Sequence, residues 1–423
     1  MKTALVAGLL CLANGARAAS TSPVAGRPIS LPEAYRLTLA RSEELAQRQY
    51  SVRELEARIS ELWSNVKPRL GLAGTQFWQD TPGEAAGGAS NLTQTSRPQA
   101  AVTLHQPLFS GLREFLALKA TRAQGESAQL QLQRVRQLIY QDVAGAYVNL
   151  LSVHLEMKSR QALIDLTEER IKELRSRERI GRSRESEVLA AQSQQAQAVS
   201  DLAAARGQER RAQAVLRFVT GLEEDLSPAG LAMPSAQAAE PFLERARRRP
   251  DVMARLRDIE AARTAVDIQR RQRWPSINLD GNYYLKRPVG VTEHIRWDAT
   301  LSASVPLYDG GAVSGQTAQA QARFGSAEQG LSLTLRTAER DVRQSHAALD
   351  SALSVVSALE RALTLADANA KAQTADYRMS LVTNLDVISA LNTALETRLR
   401  LDRARLQAAL ARVQLEVAAG GQP

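Results

Sequence analysis

The sequence Pro107-Leu108-Phe109-Ser110-Gly111 opens a stretch that continues to Ser227 without a proline, and this stretch recurs later in the chain. Adding 199 to its residue numbers reaches Pro306-Leu307-Tyr308-Asp309-Gly310, which opens a second proline-free stretch that ends at Pro423. Further landmarks recur at the same spacing without a gap: Asp142 and Asp341, Leu150 and Leu349, Arg179 and Arg378, Val188 and Val387, Gly221 and Gly420. Because a proline costs about 3 kcal/mol in a helix interior, both stretches permit very long helices. The sequence therefore predicts a duplicated long-helix unit.

Composition and charge narrow the class of protein. Of the 423 residues, 44% are hydrophobic but only 4% are aromatic, which favours long seams between helices over a bulky globular core. The net charge is +9, yet arginine is interleaved with glutamate and aspartate throughout and does not gather in a patch beside aromatic residues. We therefore interpret the charge as a solvated helix surface and predict no nucleic-acid partner.

The N-terminus, residues 1–18, is typical of a secretory signal peptide. Lys2 supplies the positive charge, residues 4–13 form a short apolar run, and Ala16-Arg17-Ala18 is a small-residue cleavage pattern. Cys11, the single cysteine, lies within the apolar run behind a poor lipoprotein signal, so we expect its removal and not its acylation. No other run reaches the ~18 apolar residues of a membrane-spanning helix. An exported protein of this kind is periplasmic, secreted or an outer-membrane barrel.

Two regions change from helical spacing to alternation with a period of two. Residues 277–283 and 297–307 alternate apolar with small polar side chains, and residues 70–77 and 100–108 do so more loosely. Alternation over about ten residues is typical of a transmembrane β-strand between lipid and an aqueous lumen. An amphipathic hairpin packed on a soluble core is the alternative. The first hairpin is the longer one, and we expect its extra residues to lie in a loop rich in glycine and serine.

Helical spacing predicts six further segments: 31–65 with a short break near Arg41-Ser42, 112–177, 184–220, 237–273, 311–377 and 383–419. The long ones span roughly 100 Å at 1.5 Å per residue. Each long helix is followed by a shorter helix that runs back beside it, 184–220 or 383–419. We therefore expect 237–273 to stack on the end of 184–220 and supply the missing length. By the same reasoning, 31–65 should stack on the end of 383–419. The chain thus divides into a signal peptide (1–18), a first repeat (19–227), a linker (228–236) and a second repeat (237–423).

The strand count and the scattered polar residues indicate a duct and not a catalyst. Four strands cannot close a membrane barrel, because an open edge in lipid leaves backbone groups unpaired. Two chains would supply eight strands and three chains twelve. The four histidines have no metal-ligand spacing, and acidic pairs such as Glu168-Glu169 lack the partners that acid–base catalysis needs. We predict no catalytic residue, no cofactor and no metal site.

These features together resemble the TolC-type outer membrane factors, in the outer membrane efflux protein family, over residues 29–421. The marks are Ile29-Ser30-Leu31-Pro32-Glu33-Ala34, Arg249-Pro250-Asp251-Val252, Lys67-Pro68, Trp274-Pro275 and the two strand-to-helix junctions 106–111 and 305–311. The resemblance implies a mostly α-helical fold with a membrane β-barrel, made from a duplicated β-hairpin and long helical hairpin. It implies a homotrimer with a 12-stranded barrel in the outer-membrane lipid and an α-helical tunnel in the periplasm.

The resemblance also implies a function. The chain would be the passive exit duct of a tripartite efflux pump or a type I secretion system, opened by a periplasmic adaptor. Its second partner would be an inner-membrane transporter of the resistance-nodulation-division (RND) or ABC type. The cargo, whether drug, metal ion or protein, is selected mainly by the transporter. The rival hypothesis is a periplasmic coiled-coil adaptor or structural protein with small β-modules, which explains the helices but not the paired hairpins.

By resemblance, the tunnel closes near the turns at 179–187 and 378–386. The candidate gate residues are Asp386, Tyr377, Ser389 and Glu187. Asp386 and Tyr377 match gate residues of the family, whereas Ser389 and Val382 replace an acidic and a basic one, so the closing bonds are only partly retained. Candidate adaptor contacts are the turn residues Gly181, Arg182, Ser183, Ser380 and Leu381.

Asp386 has a second interpretation of equal weight. The sequence Thr383-Asn384-Leu385-Asp386 has the pattern of a capping box, in which the carboxylate at the third helical position bonds back to the helix start. An aspartate also suits the positive end of the helix dipole. Gly181 and Ser380 are likewise explained most simply as residues that permit a tight turn.

Overall fold

The structure is a computed structural model that describes residues 26–80, 95–288, 292–379 and 381–421. The predicted signal peptide and Cys11 lie outside the described residues. The helices are α1 (Leu31–Arg41), α2 (Glu43–Ser64), α3 (Arg113–Arg179), α4 (Glu185–Thr220), α5 (Glu240–Ala246), α6 (Pro250–Arg270), α7 (Ala312–Arg378) and α8 (Asn384–Ala418). The strands are β1 (Arg27–Ile29), β2 (Arg69–Trp78), β3 (Ser96–Phe109), β4 (Leu226–Pro228), β5 (Ser276–Lys286) and β6 (Trp297–Ser304). Among these described residues, no helix is both long enough and apolar enough to cross a membrane.

Two hairpins, one from each copy, form one antiparallel sheet in the order β2-β3-β5-β6. Arg69 pairs with His105 in the first hairpin, and Ser276 pairs with Ser304 in the second. The residue pairs of the first hairpin become those of the second when 207 is added to the residue numbers of β2 and 199 to those of β3. The eight-residue difference between the copies therefore falls between the paired strands, and the register of the sheet is unaffected.

One row of side chains shows why the strands alternate. Leu72, Val102, Tyr283 and Trp297 are successive cross-strand neighbours, and all four are exposed. The adjacent row on the opposite face is polar and includes a hydrogen bond from Asn282 to the carboxylate of its neighbour on β6. An apolar face that no described residue covers fits contact with lipid, and a polar face fits water.

The last strand is shorter than its alternation predicts. The alternating pattern continues to residue 307, but β6 ends at Ser304, which pairs with the first residue of β5. Pro306 has no N–H to donate, and β6 is an outer strand. Within the described residues, the outer edges of both β2 and β6 have no strand beside them.

The long helices repeat with residue-level agreement. Helices α3 and α7 each contain 67 residues, and both ends of one map onto both ends of the other at the 199-residue spacing. Helices α4 and α8 contain 36 and 35 residues, and each is followed by a glycine at positive φ, Gly221 and Gly420, within two residues. Each long helix packs along its return helix to form a helical hairpin. The predicted break at Arg41-Ser42 is confirmed, since the Ser42 side chain accepts a hydrogen bond at the start of α2.

The predicted pairing of the short helices with the hairpins is wrong. The end of α4 adjoins the start of α2, where the guanidinium of Arg41 donates to the carbonyl of Gly221. The end of α8 adjoins the start of α6, where Nη1 of Arg249 donates to the carbonyl of Ala418 at 3.1 Å. Helix α2 therefore continues α4, and α6 continues α8. The exchange follows from the connecting segment, which pairs β4 with β1 and then crosses to place α5 against α7 and α8.

The predicted helix 237–273 is two helices with a break before Pro250. Helix α5 ends at Ala246 and α6 begins at Pro250, because a proline disfavours helical geometry in the residue before it. The break places Arg249 in the protein interior, with 2% of its surface exposed. Burial opposes its charge, but the carboxylates of Asp251 and Asp341 outweigh that effect and raise the pKa of Arg249.

Each copy has its own hydrophobic core near the short segments that connect the helices. In the first, Tyr147 is fully buried among residues of α1, α3, α4 and the short strands. Its hydroxyl lies 2.9 Å from the carbonyl oxygen of Ile29 and 2.8 Å from that of Ala229, so the two carbonyls share its single donor hydrogen. In the second core, Leu349 and Leu415 are fully buried against α5 and α6. Each core thus holds a helical hairpin to the segments that lead into the sheet.

Candidate functional site at the helix tips

The tip of the first hairpin is a tight turn built around Gly181. The N–H of Gly181 donates to the carbonyl of Glu178 at 2.9 Å, and the N–H of Arg182 donates to that of Arg177 at 2.8 Å. This pair of bonds is a Schellman motif, which needs a residue with positive φ, and Gly181 has φ +70°. Arg182 is exposed, and Ser183 is half-buried.

The tip of the second hairpin follows the same plan. The N–H of Leu381 donates to the carbonyl of Asp376 at 2.9 Å, which is the outer bond of a Schellman motif. Ser380 lies outside the described residues. Met379 is 63% exposed, as its counterpart Ile180 is at 66%, whereas Leu381, 70% exposed, stands where the first tip has Arg182.

Asp386 forms the capping box that the sequence predicts. Its Oδ2 accepts from the N–H of Thr383 at 2.8 Å and from the hydroxyl of Thr383 at 2.6 Å, and the hydroxyl oxygen accepts in return from the N–H of Asp386. The Thr383 hydroxyl, and then its N–H, hold the pKa of Asp386 below its ordinary value of 3.8. The carboxylate is exposed, so capping leaves it in contact with solvent.

Glu187 lies on the first turn of α4, and Ser389 lies on the second turn of α8. The hydroxyl of Ser183 donates to the carboxylate of Glu187 at 2.6 Å, a local bond at the start of α4. Ser389 is exposed, and its carbonyl accepts from the hydroxyl of Thr393 within α8. Both residues are thus engaged within their own hairpin.

Tyr377 connects the two hairpins, and it does so through arginines that the sequence analysis did not identify. The guanidinium carbon of Arg170 lies 4.1 Å from the centroid of the Tyr377 ring, and that of Arg177 lies 4.7 Å from it. Only 7% of Tyr377 is exposed. A ring between two partly buried cations is a cation–π contact in its more favourable range, about 2 kcal/mol or more when desolvated.

Further bonds hold these arginines in place. Arg170 Nε donates to Oδ1 of Asn384 at 2.7 Å, and its Nη1 lies 2.5 Å from the carboxylate of Glu173. Arg177 forms an ion pair with the same glutamate at 2.8 Å. Asn384 is 1% exposed, so this bond from α3 to the start of α8 is shielded from water. We name the group of Arg170, Glu173, Arg177, Tyr377 and Asn384 the tip joint.

The spacing of α3 residues in the tip joint is a signal that was present in the sequence. Positions 170, 173 and 177 are three and four residues apart, so they share one face of a helix. Next to these residues, Ile388 of α8 packs in a buried cluster with Ile171 and Leu174 of α3. The joint is therefore a polar layer on an apolar seam between the hairpins.

The described residues contain no group of three or more histidine, cysteine, aspartate or glutamate side chains placed to hold a metal ion. At the helix tips, the side chains form helix caps, ion pairs and cation–π contacts. Such an arrangement fixes the relative position of helices and separates when those contacts break.

Comparison with known proteins decides the family. The model of the outer membrane efflux protein family matches residues 34–222 and 244–421, which correspond to the two copies. The chain belongs to the outer membrane efflux protein family. It is 24% identical to the outer membrane protein TolC of Escherichia coli over 383 residues, which cover 86% of this chain and 76% of that protein. It is 22% identical to TolC of Vibrio cholerae over 334 residues, covering 76% of each.

The fold of this efflux family member agrees with solved structures. A membrane protein from Pseudomonas aeruginosa superposes with a TM-score of 0.80 at 19% identity, covering 92% of this chain and 90% of that one. Family membership places the protein in the outer membrane as a channel, with its helical part in the periplasm. The interpretation as an outer-membrane duct is confirmed, and the rival periplasmic adaptor is not supported, because the family match includes both strand hairpins.

Proposed function

We propose that this outer membrane efflux protein acts as a homotrimer, a passive exit duct for an efflux pump or a type I secretion system. The observation that carries the proposal is the sheet of two hairpins whose outer edges have no strand beside them among the described residues. An unpaired edge in lipid is costly, so β6 of one chain must pair with β2 of the next. Three chains then supply twelve strands and six helical hairpins around one axis. No step of this function requires catalysis.

The closed end of the duct lies at the helix tips in this proposal. Tyr377 is the gate residue with the best support, because its ring is buried between arginines of the other hairpin. Asp386 and Glu187 contribute by holding the first turns of α8 and α4. Ser389 supplies no charge at the constriction, so an acidic ring there would consist of Asp386 alone.

The partners follow from the position of the tips. A periplasmic adaptor would dock on the exposed turn residues Gly181, Arg182 and Leu381, on the half-buried Ser183, and on Ser380 by its place in the sequence. An inner-membrane transporter of the RND or ABC type would supply the energy and select the cargo. We assign no cargo to the duct itself.

A gel and a bilayer measurement test the duct. The protein extracted from outer membranes should migrate as a trimer without heating and, after boiling, as a single chain below the 46.1 kDa of the full sequence, because the predicted signal peptide is removed. In planar bilayers it should form a low-conductance channel. A chain that leaves the membrane in high salt and migrates as a monomer without heating would refute the proposal.

The gate is tested by Tyr377→Ala, which removes the ring from the tip joint and should raise the fraction of time the channel is open. The matched control is Lys172→Ala, because Lys172 lies on the same helix turn as the joint but pairs with Glu168 at 72% side-chain exposure. Equal conductance of Tyr377→Ala and the unmodified channel would remove Tyr377 from the gate.

A further inference from the structure

All four tryptophans of the chain lie at the two ends of the sheet. Trp78 and Trp297 are at the end where the two strands of each hairpin are joined, and Trp63 and Trp274 are at the end where helices join the strands. Tryptophan is enriched at the two interfaces between a membrane and water. The two pairs therefore mark the two surfaces of the outer membrane. Since the helical part lies in the periplasm, the helix end of the sheet faces the periplasmic leaflet.

Trp274 lies just beyond the apolar face of the sheet and on the same side. Ile277 is six residues from Tyr283 along β5, so both side chains point to the apolar face. Phe109 is the cross-strand partner of Ile277, and the ring centroids of Phe109 and Trp274 are 6.5 Å apart. The Trp274 ring is half exposed. It therefore lies at the boundary between lipid and water and not in the lumen.

One turn of 3-10 helix, Arg271–Arg273, holds two arginines beside this tryptophan. The guanidinium carbon of Arg271 lies 5.3 Å from the centroid of the Trp274 ring, and its Nη1 donates to the carbonyl of Gly111 at 3.3 Å. A Cβ added at Gly111 would lie 3.0 Å from the carbonyl oxygen of Arg271 and 3.0 Å from Cβ of Trp274. The turn is thus packed closely on the junction between β3 and α3, which fixes the level of its arginines.

Neither Arg271 nor Arg273 forms an ion pair within the part of the chain that the structure describes. Arg273 acts electrostatically on Asp309, at the start of α7. The two carboxylate oxygens of Asp309 accept from the N–H groups of Gly311 at 2.9 Å and Val313 at 2.8 Å, so this acid serves as a helix cap. Two positive charges beside the lipid surface are thus left for an anion from outside the chain.

The first copy carries the same combination where its chain enters the sheet. Subtracting 207, the spacing between β2 and β5, takes Arg270 to Trp63 and Trp274 to Lys67. The Trp63 ring packs edge-on against that of Phe115, with centroids 6.4 Å apart. Lys67 is exposed and forms no ion pair among the described residues. Each copy therefore places one tryptophan and at least one unpaired cation just before the proline that precedes its strand.

We infer that Arg271, Arg273 and Trp274 bind the head group of an anionic phospholipid in the periplasmic leaflet of the outer membrane. Guanidinium groups present planar sets of N–H donors that match a phosphate. The acyl chains of the same lipid lie on the apolar face that begins at Ile277. A zwitterionic phospholipid has the phosphate but no net charge, so the site prefers an anionic one. Because β5 is an inner strand, the site is complete within one chain and does not depend on the proposed trimer.

Quenching of tryptophan fluorescence by brominated lipid tests the site. Trp274 is made the only tryptophan by three substitutions, Trp63→Phe, Trp78→Phe and Trp297→Phe. The delipidated protein in detergent is then titrated with brominated phosphatidylglycerol or brominated phosphatidylcholine. Half-quenching should need roughly 25-fold less of the anionic lipid, because each basic residue near an anionic surface contributes about a factor of five.

Three double variants in this background assign the preference to the two arginines. Arg271→Gln with Arg273→Gln should be quenched by the two lipids at about equal concentrations. Arg271→Lys with Arg273→Lys retains both charges and should retain most of the preference, which separates a loss of charge from a change around the ring. The matched control is Arg255→Gln with Arg257→Gln, because both arginines are ion-paired on α6 outside the turn, and it should keep the full preference.

Several results would overturn the inference and leave the proposed duct standing. These are equal quenching by the two lipids when both arginines are present, an unchanged preference in Arg271→Gln with Arg273→Gln, and no quenching of Trp274 by either lipid. Inorganic phosphate at the concentration of the lipid should leave the quenching unchanged. Relief of the quenching by inorganic phosphate would indicate a site for a free anion and would overturn the assignment to a lipid.

Discussion

Arg249→Met should be the most destabilising single change at the level where the two copies meet. The guanidinium is 2% exposed and donates to Asp251 at 2.7 and 2.9 Å, to Asp341 at 3.2 Å and to the carbonyl of Ala418 at 3.1 Å. Methionine keeps much of the length but none of the five donors. Asp251 and Asp341, each with about a quarter of its side-chain surface exposed, then lose this cation, and Asp341 keeps only its exposed ion pair with Arg340 at 2.7 Å. Removing one partner of such a buried group costs about 3–5 kcal/mol.

The matched control is Arg257→Met on the same helix, α6. Arg257 also forms two ion pairs, with Glu126 at 2.9 Å and Glu260 at 3.1 Å, but its side chain is 42% exposed. Exposed pairs of this kind contribute about 0–1 kcal/mol, because water screens them. The two variants therefore remove the same chemical group and the same number of carboxylate partners, and they differ in burial.

The assay is thermal unfolding of the detergent-extracted protein, followed by far-ultraviolet circular dichroism at one heating rate, because large membrane assemblies unfold irreversibly. Arg249→Met should unfold at a much lower temperature than Arg257→Met. Adding Asp341→Asn to Arg249→Met should restore part of the loss, since it removes one of the two like charges. Equal losses in the two single variants would refute the reasoning from burial.

Three further changes test other levels of the structure. Tyr147→Phe removes the hydroxyl bond to the carbonyls of Ile29 and Ala229 and should cost about 0.5–1.5 kcal/mol in the same unfolding assay, because the Ile29 carbonyl keeps the bond from the N–H of Ala229; no loss would show that the bonds contribute nothing. Thr383→Ala should speed amide hydrogen exchange at the start of α8. Because the pKa of Asp386 is lowered, its bond to Thr383 is fully present above the unfolded pKa of 3.8 and is lost as the pH falls through the folded pKa. Amide exchange in the unmodified protein, corrected for intrinsic rates, should therefore be constant from about pH 5 to 8. A change in the corrected exchange rate near neutral pH would contradict this reasoning. Gly111→Ala should destabilise the strand-to-helix junction, since φ is +68° and an added Cβ meets a carbonyl oxygen at 3.0 Å, whereas Gly125→Ala, in open space within α3, should stabilise by about 0.5–1 kcal/mol; the opposite order would refute the argument.

The capping box and the Schellman turn at Gly181 were accessible from the sequence because each bond joins residues at most five positions apart. Asp386 and Thr383 are three residues apart, and the turn at Gly181 needs one residue with positive φ. Local rules of this kind need no knowledge of the rest of the chain. These local rules predicted the positions of both helix tips to within one or two residues.

The tip joint was not accessible in the same way. Tyr377 was proposed as a gate residue by resemblance, but its partners Arg170 and Arg177 lie about two hundred positions earlier in the chain. Their spacing marks one face of α3, yet many arginines in this chain share a face with a glutamate. Which of these faces meets a tyrosine depends on how the two hairpins are aligned.

The sequence by itself determined the repeat, the lengths of the long helices and the alternation of the strands. These features follow from the periodicity of the apolar residues and from the positions of the prolines. The constant spacing of 199 residues showed that the same features occur in both copies. Tertiary structure decided that α2 continues α4 and that α6 continues α8, against the prediction. Helix ends carry similar caps and unpaired groups, so any two of them are locally suited to adjoin. The choice was made by the path of residues 226–246, through contacts with β1, α7 and α8 that no local pattern records.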